Sequence, residues 1–463
     1  MRIGKSVLFL FLCLTVLVAP SAAAVDGFIR YERLGERVLV LTEISPMENI
    51  VVALLTSEGI VVFDATGSRE TAEAMREIMI REFGRDDFAY LVNTHHHWDH
   101  TFGNQVFSDA VGVGYEEVPA RMALDAARIP TRIENMERRL SQLRAERDTL
   151  PAGSAEAETL AGHIAFDERY FRGMADGFAS TPPKITFRDR MTLRVGDRTV
   201  EMVFFGPAHS GTDILIRVPE EGILMTGDLF LERGWLPLFC GTRKLDVPRW
   251  IEALDWALDE EGGVRTVIPG HRDVWPREKL VFWRNYIVDL WEGIRAADAE
   301  GLDIDALAAR FPRSARLDYL KAIGHDDTEL THFQQENVIG FWKQLRESAA
   351  EVVGAAFDEG GIERGRAVFA DLREEGRAFF DENEFNDLGY RLLQEQRVDE
   401  AIVVFTSNAE AFPESWNAWD SLAEGYMTRG DSAAAIRHYR RSIEIYPENE
   451  NGREKLRELG VAP

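Results

Sequence analysis

Short apolar bursts dominate the first part of this chain, and widely spaced apolar stripes dominate its last part. Val38 to Leu41, Ile50 to Leu55 and Ile60 to Phe63 are strand-like runs, and Ser57-Glu58-Gly59 closes a hairpin between the last two. From Arg69 to Phe83 the period lengthens, with Ala72, Met75, Ile78 and Met79 on one helical face. Phe88 to Val92 and Ala110 to Gly114 return to strands. Residues 117–180 lose all strand signal and read as a helical insertion, with Pro151-Ala152-Gly153-Ser154 separating two helices. Strands resume at Lys184 to Phe187, Met191 to Val195, Thr199 to Phe205, Asp213 to Val218, Ile223 to Thr226 and Thr266 to Ile268. Pro248 to Leu258 is helical, with its proline tolerated in the first turn. The alternation of strands with helices predicts an α/β domain.

From Arg277 to about Phe380 the pattern is helical throughout. Beyond it Phe385, Leu388, Gly389, Ala401, Phe405 and Pro413 recur 34 residues later as Trp419, Leu422, Ala423, Ala435, Tyr439 and Pro447. Large, small and proline positions at matching offsets of that period resemble tetratricopeptide repeats. Two units cover Glu382 to Ser415 and Trp416 to Asn449, and Asn451 to Leu459 reads as a terminal helix covering the second. Such arrays receive a protein or peptide partner, or a second copy, on a concave face.

The N-terminus carries a targeting signal. Arg2 and Lys5 precede an apolar run from Val7 to Val18, and Pro20-Ser21-Ala22-Ala23-Ala24 supplies small residues for cleavage. The run is too short to span a bilayer, so residues 1–24 read as a secretory signal peptide and the mature protein as periplasmic or secreted. Four expected divisions follow: the signal at 1–24, an α/β domain at 25–276, a helical extension at 277–381 and the repeats at 382–463. The formal charge is -26 and removal of the signal makes it more negative, which excludes nucleic acid and anionic membrane surfaces as partners. Of the two cysteines, Cys13 leaves with the signal and Cys240 stays alone, so no intrachain disulfide forms. Cys240 follows Trp235, Leu236, Leu238 and Phe239 and reads as a small buried hydrophobe.

The candidate chemistry starts at Thr94-His95-His96-His97-Trp98-Asp99-His100, directly after the strand Phe88 to Val92. Four of the ten histidines fall in this run, interleaved with a carboxylate. A core has no use for so many imidazoles, whereas a divalent metal site requires them. Three more segments place a donor just past a strand end beside glycine: Gly206-Pro207-Ala208-His209-Ser210-Gly211, Thr226-Gly227-Asp228 and Pro269-Gly270-His271. Loops at one rim of a sheet can bring all of these donors together.

With Phe63-Asp64-Ala65-Thr66-Gly67 as the first motif, these segments resemble the metallo-β-lactamase superfamily over about Val38 to Asp273. The resemblance implies an αββα sandwich with metals at the rim between its halves. It implies that His95, His97 and His209 hold a first zinc and that Asp99, His100 and His271 hold a second. Asp228 then bridges both, and Asp64 orients the ligand loop from outside. Two zinc ions lower the pKa of a shared water from about 15.7 to near 7, so hydroxide attacks a polarised carbonyl. Asp99 orients that nucleophile and accepts its proton. Iron or manganese are alternative occupants. The expected function is a dinuclear zinc hydrolase acting on a small ester, thioester, lactone or amide-type substrate.

Competing readings also come from the resemblance. Zinc β-lactamases usually have cysteine or serine where Asp228 stands. Persulfide dioxygenases generally use one iron and fewer ligands, and flavodiiron proteins replace one motif histidine with an acid. A repeat scaffold with a structural metal domain is the reading from another class. Nearby residues are less defined by the sequence. His96 alternates with the ligands and reads as an outer or core residue, with a substrate contact as the alternative, Trp98 as pocket wall or core, and Asp213 as a buttress of the His209 loop or a simple turn residue. His163, His325, His332 and His438 lack companion donors and read as surface or core histidines. The insertion and the segment Glu232 to Lys244 are expected to shape the pocket.

Overall fold

The alternating segments pair into two sheets in the computed structural model, which describes residues 24–230, 245–312, 314–376 and 378–462. The first sheet runs in chain order: β1 (Ala24–Asp26), β2 (Ile29–Leu34), β3 (Val38–Glu43), β4 (Ile50–Thr56), β5 (Gly59–Phe63), β6 (Phe88–Val92), β7 (Val111–Tyr115) and β8 (Ile185–Phe187). Neighbours are antiparallel up to β5 and parallel from β5 to β8. The second sheet holds β9 (Arg190–Val195), β10 (Arg198–Val203), β11 (Leu215–Val218), β12 (Ile223–Gly227), β13 (Thr266–Pro269) and β14 (Trp275–Pro276), also adjacent in that order. Only β12 and β13 run parallel there.

The period of two explains why both faces of the first sheet are covered. Val38, Val40, Val52, Leu54, Val61 and Phe63 point between the sheets, where they meet Val200, Met202, Ile216, Val218 and Met225. The intervening Leu39, Leu41, Val51, Ala53, Ile60 and Val62 turn outward onto Ala72, Met75, Ile78 and Met79 of α1 (Arg69–Phe83). Helix α1 starts where the Ser68 hydroxyl accepts from Thr71 N–H and stops at Gly84, whose φ of 65° few other residues adopt readily. Next come α2 (Trp98–Thr101), then α3 (Val118–Ala127), α4 (Ile129–Arg147) and α5 (Ala155–Ala175) in the insertion, and α6 (Val247–Ala257). Trp250 and Ala253 of α6 face Val203 and Leu215 on the outer side of the second sheet. The layers are therefore helix, sheet, sheet, helix, an αββα sandwich of the α/β class.

Three local expectations change. The insertion holds three helices rather than two, because Pro130 can occupy only a first turn and α3 ends at Ala127 before it. The hairpin β1–β2 carries no clear alternation, since only Ile29 in β2 is fully buried. The stretch 277–380 is not helical throughout: a 3-10 segment (Ala315–Ile323) and two paired dipeptides, Glu347–Ser348 and Ala378–Phe379, interrupt it. Residues 1–23, with Cys13, and the segment 231–244, with Cys240, lie outside the described residues. Of the expected signal only Ala24 is described, as the first residue of β1.

The chain divides by compactness into one unit of Met1–Val288 with Arg316–His325 and another of Asp289–Ala315 with Asp326–Pro463. The division falls within α7 (Arg277–Ala299). The second unit continues with α8 (Ile304–Arg310), α9 (Asp327–Gln344), α10 (Ala349–Glu375), α11 (Glu382–Gln394), α12 (Val398–Ala411), α13 (Trp416–Arg429), α14 (Ser432–Ile445) and α15 (Glu450–Glu458). Both α11 to α13 and α12 to α14 repeat their start points at an interval of 34 residues. The recurring positions Leu388 and Leu422, Ala401 and Ala435, and Phe405 and Tyr439 are buried. Gly389 faces Phe405 so closely that a Cβ there would lie 2.3 Å from the ring. Among the described residues no helix is long and apolar enough to cross a membrane.

Gly103 ties the fold to the rim described next. It follows α2, donates its N–H to Thr66 O at 3.0 Å, and a Cβ there would sit 1.8 Å from Ala65 O. Gly103→Ala must push the 64–66 loop away, an overpacking cost of about 1–3 kcal/mol. The expected outcome is a fall in the thermal midpoint of roughly 2–4 °C per kcal/mol, read by calorimetry.

Candidate metal centre

Parallel pairing sets the geometry. Because β5 runs with β6, and β12 with β13, the C-terminal ends of each pair open onto the same rim. Asp64 follows β5, the run from Asn93 to His97 follows β6, Asp228 follows β12 and His271 follows β13 by two residues. His209 comes from the loop between β10 and β11. Two glycines permit the approach of these loops. At Gly227, with φ of 51°, a Cβ would lie 2.8 Å from Thr94 Oγ1, and at Gly270 it would lie 2.1 Å from Asp228 Oδ1.

The expected donors gather into two sets, His95 with His97 and His209, and Asp99 with His100, Asp228 and His271. Within each, one ligand atom per residue lies within 4.8 Å of all the others. In the first set His209 Nε2 is 3.0 Å from His97 Nδ1, and the His95 ring stands 4.7 Å and 5.3 Å from theirs. In the second set His100 Nε2 lies 3.3 Å from His271 Nε2 and 3.4 Å from both Asp99 Oδ2 and Asp228 Oδ1. His271 Nε2 is 3.4 Å from Asp99 Oδ2 and 3.1 Å from Asp228 Oδ2. Asp228 Oδ2 also comes within 3.6 Å of His209 Nε2, so this carboxylate stands between the two sets.

Partners outside the sets fix which nitrogen faces inward. Asp64, at φ of 60°, accepts from Thr94 N–H at 2.8 Å through Oδ1 and from the Thr94 hydroxyl at 2.7 Å through Oδ2. The same Oδ2 lies 3.0 Å from His100 Nδ1, which leaves His100 Nε2 turned to the cluster. Met47 O takes His271 Nδ1 at 2.8 Å in the same way. The Thr94 hydroxyl lies 3.1 Å from His95 Nδ1. The inward His95 Nε2 is buried with no hydrogen-bond partner at all.

That orphan nitrogen, and imidazole nitrogens facing each other at about 3 Å, are costly unless a proton or a cation lies between them. Mixed imidazole and carboxylate donors in these numbers suit a borderline divalent cation such as zinc. The residues present therefore fit a metal. Electrostatics divides the sets. Burial, with the neighbouring His100 and His97, pushes His95 well below the ordinary histidine pKa, and burial with His209 lowers His97. Burial alone would also depress His100 and His271, but Asp228 and the other carboxylates raise both. Asp99 and Asp228 would be raised by burial, yet the imidazoles facing them hold both below the usual carboxylate range. The carboxylates of the second set thus favour protonation of His100 and His271, with which a cation must compete, so metal affinity falls as pH falls.

His96 belongs to neither set: its Nδ1 lies 2.9 Å from the Thr212 hydroxyl, and its ring packs edge-on to that of His97 with centroids 4.8 Å apart. Trp98 packs edge-on against Tyr170 and lies beside Phe102. Asp213 accepts from Ser210 N–H at 2.7 Å, Gly211 N–H at 3.1 Å and the Ser210 hydroxyl at 2.8 Å, which shapes the loop after His209. His163, His325, His332 and His438 fall in neither donor set. His438 is stacked on Trp419 and Tyr426, with ring centroids 5.7 Å and 5.2 Å away. The sequence did not mark Asn49, whose side-chain N–H2 donates to Asp99 O at 3.0 Å and Asp99 Oδ2 at 3.1 Å. Nor did it mark Tyr170, which reaches Asn49 from α5.

The superfamily profile described as "Metallo-beta-lactamase superfamily" matches residues 47–271. No curated protein matches the chain. Among solved structures it is similar to a metallo-beta-lactamase from Pontibacter korlensis at 16% identity, over 56% of this chain and 98% of that one, with a TM-score of 0.37. It is similar to the stereoselective inverting sec-alkylsulfatase Pisa1 from Pseudomonas sp. at 14% identity, over 88% of this chain and 64% of that one, with a TM-score of 0.45. A metallo-beta-lactamase from Erythrobacter litoralis matches at 12% identity, over 58% and 99%, with a TM-score of 0.37.

The pKa of His96 carries a consequence for acid stability. Burial first, then His97, Arg121 and His209, push it from 6.5 down to about 3. The unfolded chain therefore binds this proton first as pH falls, and folding stability is lost from about pH 6.5 towards pH 3. In metal-free protein, His96→Gln is expected to reduce the stability lost between about pH 7 and about pH 4.5 by about 1–2 kcal/mol, after discounting for partial exposure. Denaturant unfolding at the two pH values measures it; an unchanged difference would refute this role of His96.

Proposed function

We propose, from the match of residues 47–271 to the metallo-beta-lactamase superfamily and from the donor sets above, that the chain is an exported, dinuclear zinc-dependent hydrolase of a small ester, thioester, lactone or amide-type substrate. The observation that carries this reading is Asp228 standing between two complete donor sets, one of imidazoles alone and one mixed. His95, His97 and His209 would hold one cation, Asp99, His100 and His271 the other, and Asp228 both. Cations bound there would supply Lewis acidity towards a carbonyl and lower the pKa of water to about 7.

The remaining work belongs to the chain's own groups. Asp99, kept ionised by His100 and His271, is suited to orient a water and receive its proton. Asp64 and the Met47 carbonyl hold His100 and His271 in fixed tautomers, so the inward nitrogens stay unprotonated once the site is filled. The residues at 1–24 support action after export. The hairpins α11–α12 and α13–α14 support a tetratricopeptide-type surface for a protein or peptide partner, through their 34-residue interval.

Metal analysis of the mature chain under zinc-replete conditions is expected to give about two ions per chain, and well below two would overturn the dinuclear reading. Chromogenic β-lactam, lactone, thioester, sulfate-ester and phosphoester substrates then identify the class hydrolysed. Asp99→Asn is expected to lower kcat on that class by about 10²–10⁴-fold. Undiminished turnover in this variant would remove Asp99 from the chemistry.

A further inference from the structure

Helix α5 sends one side chain from the insertion to the rim. Tyr170 is 1% exposed, and its ring packs edge to face on Trp98, with centroids 4.7 Å apart. Its hydroxyl donates to Asn49 Oδ1 at 3.5 Å. Gly67 makes room for it, since a Cβ at that position would lie 2.3 Å from Tyr170 Cε1. Asn49 is itself 1% exposed and touches two members of the second donor set. Its amide N–H2 holds Asp99, and its backbone forms an isolated antiparallel bridge with His271. Ile50 N–H continues that bridge to Gly270 O at 2.8 Å.

We propose that Asn49 and Tyr170 are positioning residues for the second donor set, with α5 as the strut that fixes the Asn49 amide and, through it, the Asp99 carboxylate. The proposal rests on the two-cation reading above and extends it into the insertion.

The argument turns on the two ends of an amide. Asn49 can present either Nδ2 or Oδ1 to Asp99 with almost the same shape. Both Asp99 atoms in reach, the backbone O and Oδ2, are acceptors, so only Nδ2 binds there and Oδ1 would be repelled. With Nδ2 so committed, Oδ1 faces the Tyr170 hydroxyl, which donates to it and holds the amide in that orientation. Its own position is secured by its neighbour in sequence. Arg169 forms a buried ion pair with Glu43 at 3.3 Å, and the same Glu43 oxygen accepts from Thr71 Oγ1 at 3.1 Å. The Arg169 guanidinium also lies 4.4 Å from the centre of the Phe28 ring. These contacts fasten α5 to β3 and α1, so the strut does not drift. The first donor set has its own supports in Thr94 and the Asp213 loop.

The split between the sets gives the test. Metal-free wild type, Tyr170→Phe and Asn49→Ala are titrated with zinc by calorimetry. Both variants are expected to bind one equivalent as wild type does and the other about 10–100-fold more weakly. With the substrate class in hand, kcat should fall while KM stays near wild type, and excess zinc should restore turnover to Tyr170→Phe. Adding Tyr170→Phe to Asn49→Ala should cost little more, because both act through one amide. Two wild-type equivalents in both variants would overturn the proposal. So would equal weakening of both equivalents together with a lower melting temperature, the signature of a merely structural role. A wild-type chain that takes up fewer than two equivalents would sink the two-cation reading itself, and the proposal with it.

Discussion

Seven lone-pair donors are packed at one sheet rim, and four of them have almost no access to water: His95, Asp99, His100 and Asp228. Such a group is unfavourable in itself, since buried carboxylates and facing imidazoles lose hydration and gain little from one another. In the second set the attraction between the carboxylates of Asp99 and Asp228 and the imidazoles of His100 and His271 offsets part of that cost. In the imidazole set His95 Nε2 has no hydrogen-bond partner. A positive charge is therefore the missing counterpart, and the surrounding loops are organised to receive one.

Holding those loops requires unusual backbone. Five described non-glycine residues have left-handed φ, and four of them, Glu48, Asp64, Thr66 and Arg272, flank the donors. Strain of this kind costs on the order of 1–3 kcal/mol per residue and persists only where neighbours enforce it. The enforcing contacts are visible: Asp64 on Thr94 and His100, Thr66 O on Gly103 N–H, and Arg272 N–H on Glu48 O. The sandwich beneath supplies the rigidity, because both faces of β3, β4 and β5 are packed and the strand ends cannot shift independently.

Much of this was legible in the sequence, for physical reasons that differ by element. The His95–His100 run stands out because no core would tolerate that density of imidazoles. His209, Asp228 and His271 are visible because each follows an apolar strand at a glycine, where a loop must begin. Asn49 and Tyr170 are not visible, because an amide and a phenol carry no spacing rule and meet across 121 residues of chain. Strand β2 escaped for a simpler reason: apart from Ile29 its residues are half-buried, so no alternation forms. The boundary between α3 and α4 was marked by Pro130 but overshadowed by the stronger break at Pro151 to Ser154.

The insertion then has a role that its composition conceals. A polar, helix-rich segment between two strands looks like a decoration that could vary without consequence. Its α4 supports that impression, with only Ile129 and Leu140 buried. Helix α5 does not, since it buries Phe166, Asp167, Arg169, Tyr170 and Met174. Burying an arginine is costly unless it is paired, and Glu43 on β3 provides the pair. A contact of that expense next to Tyr170 makes sense if the helix must be held at one distance from the rim. The sheet thus sets where the donors converge, and the inserted helix sets how firmly one of them is aimed.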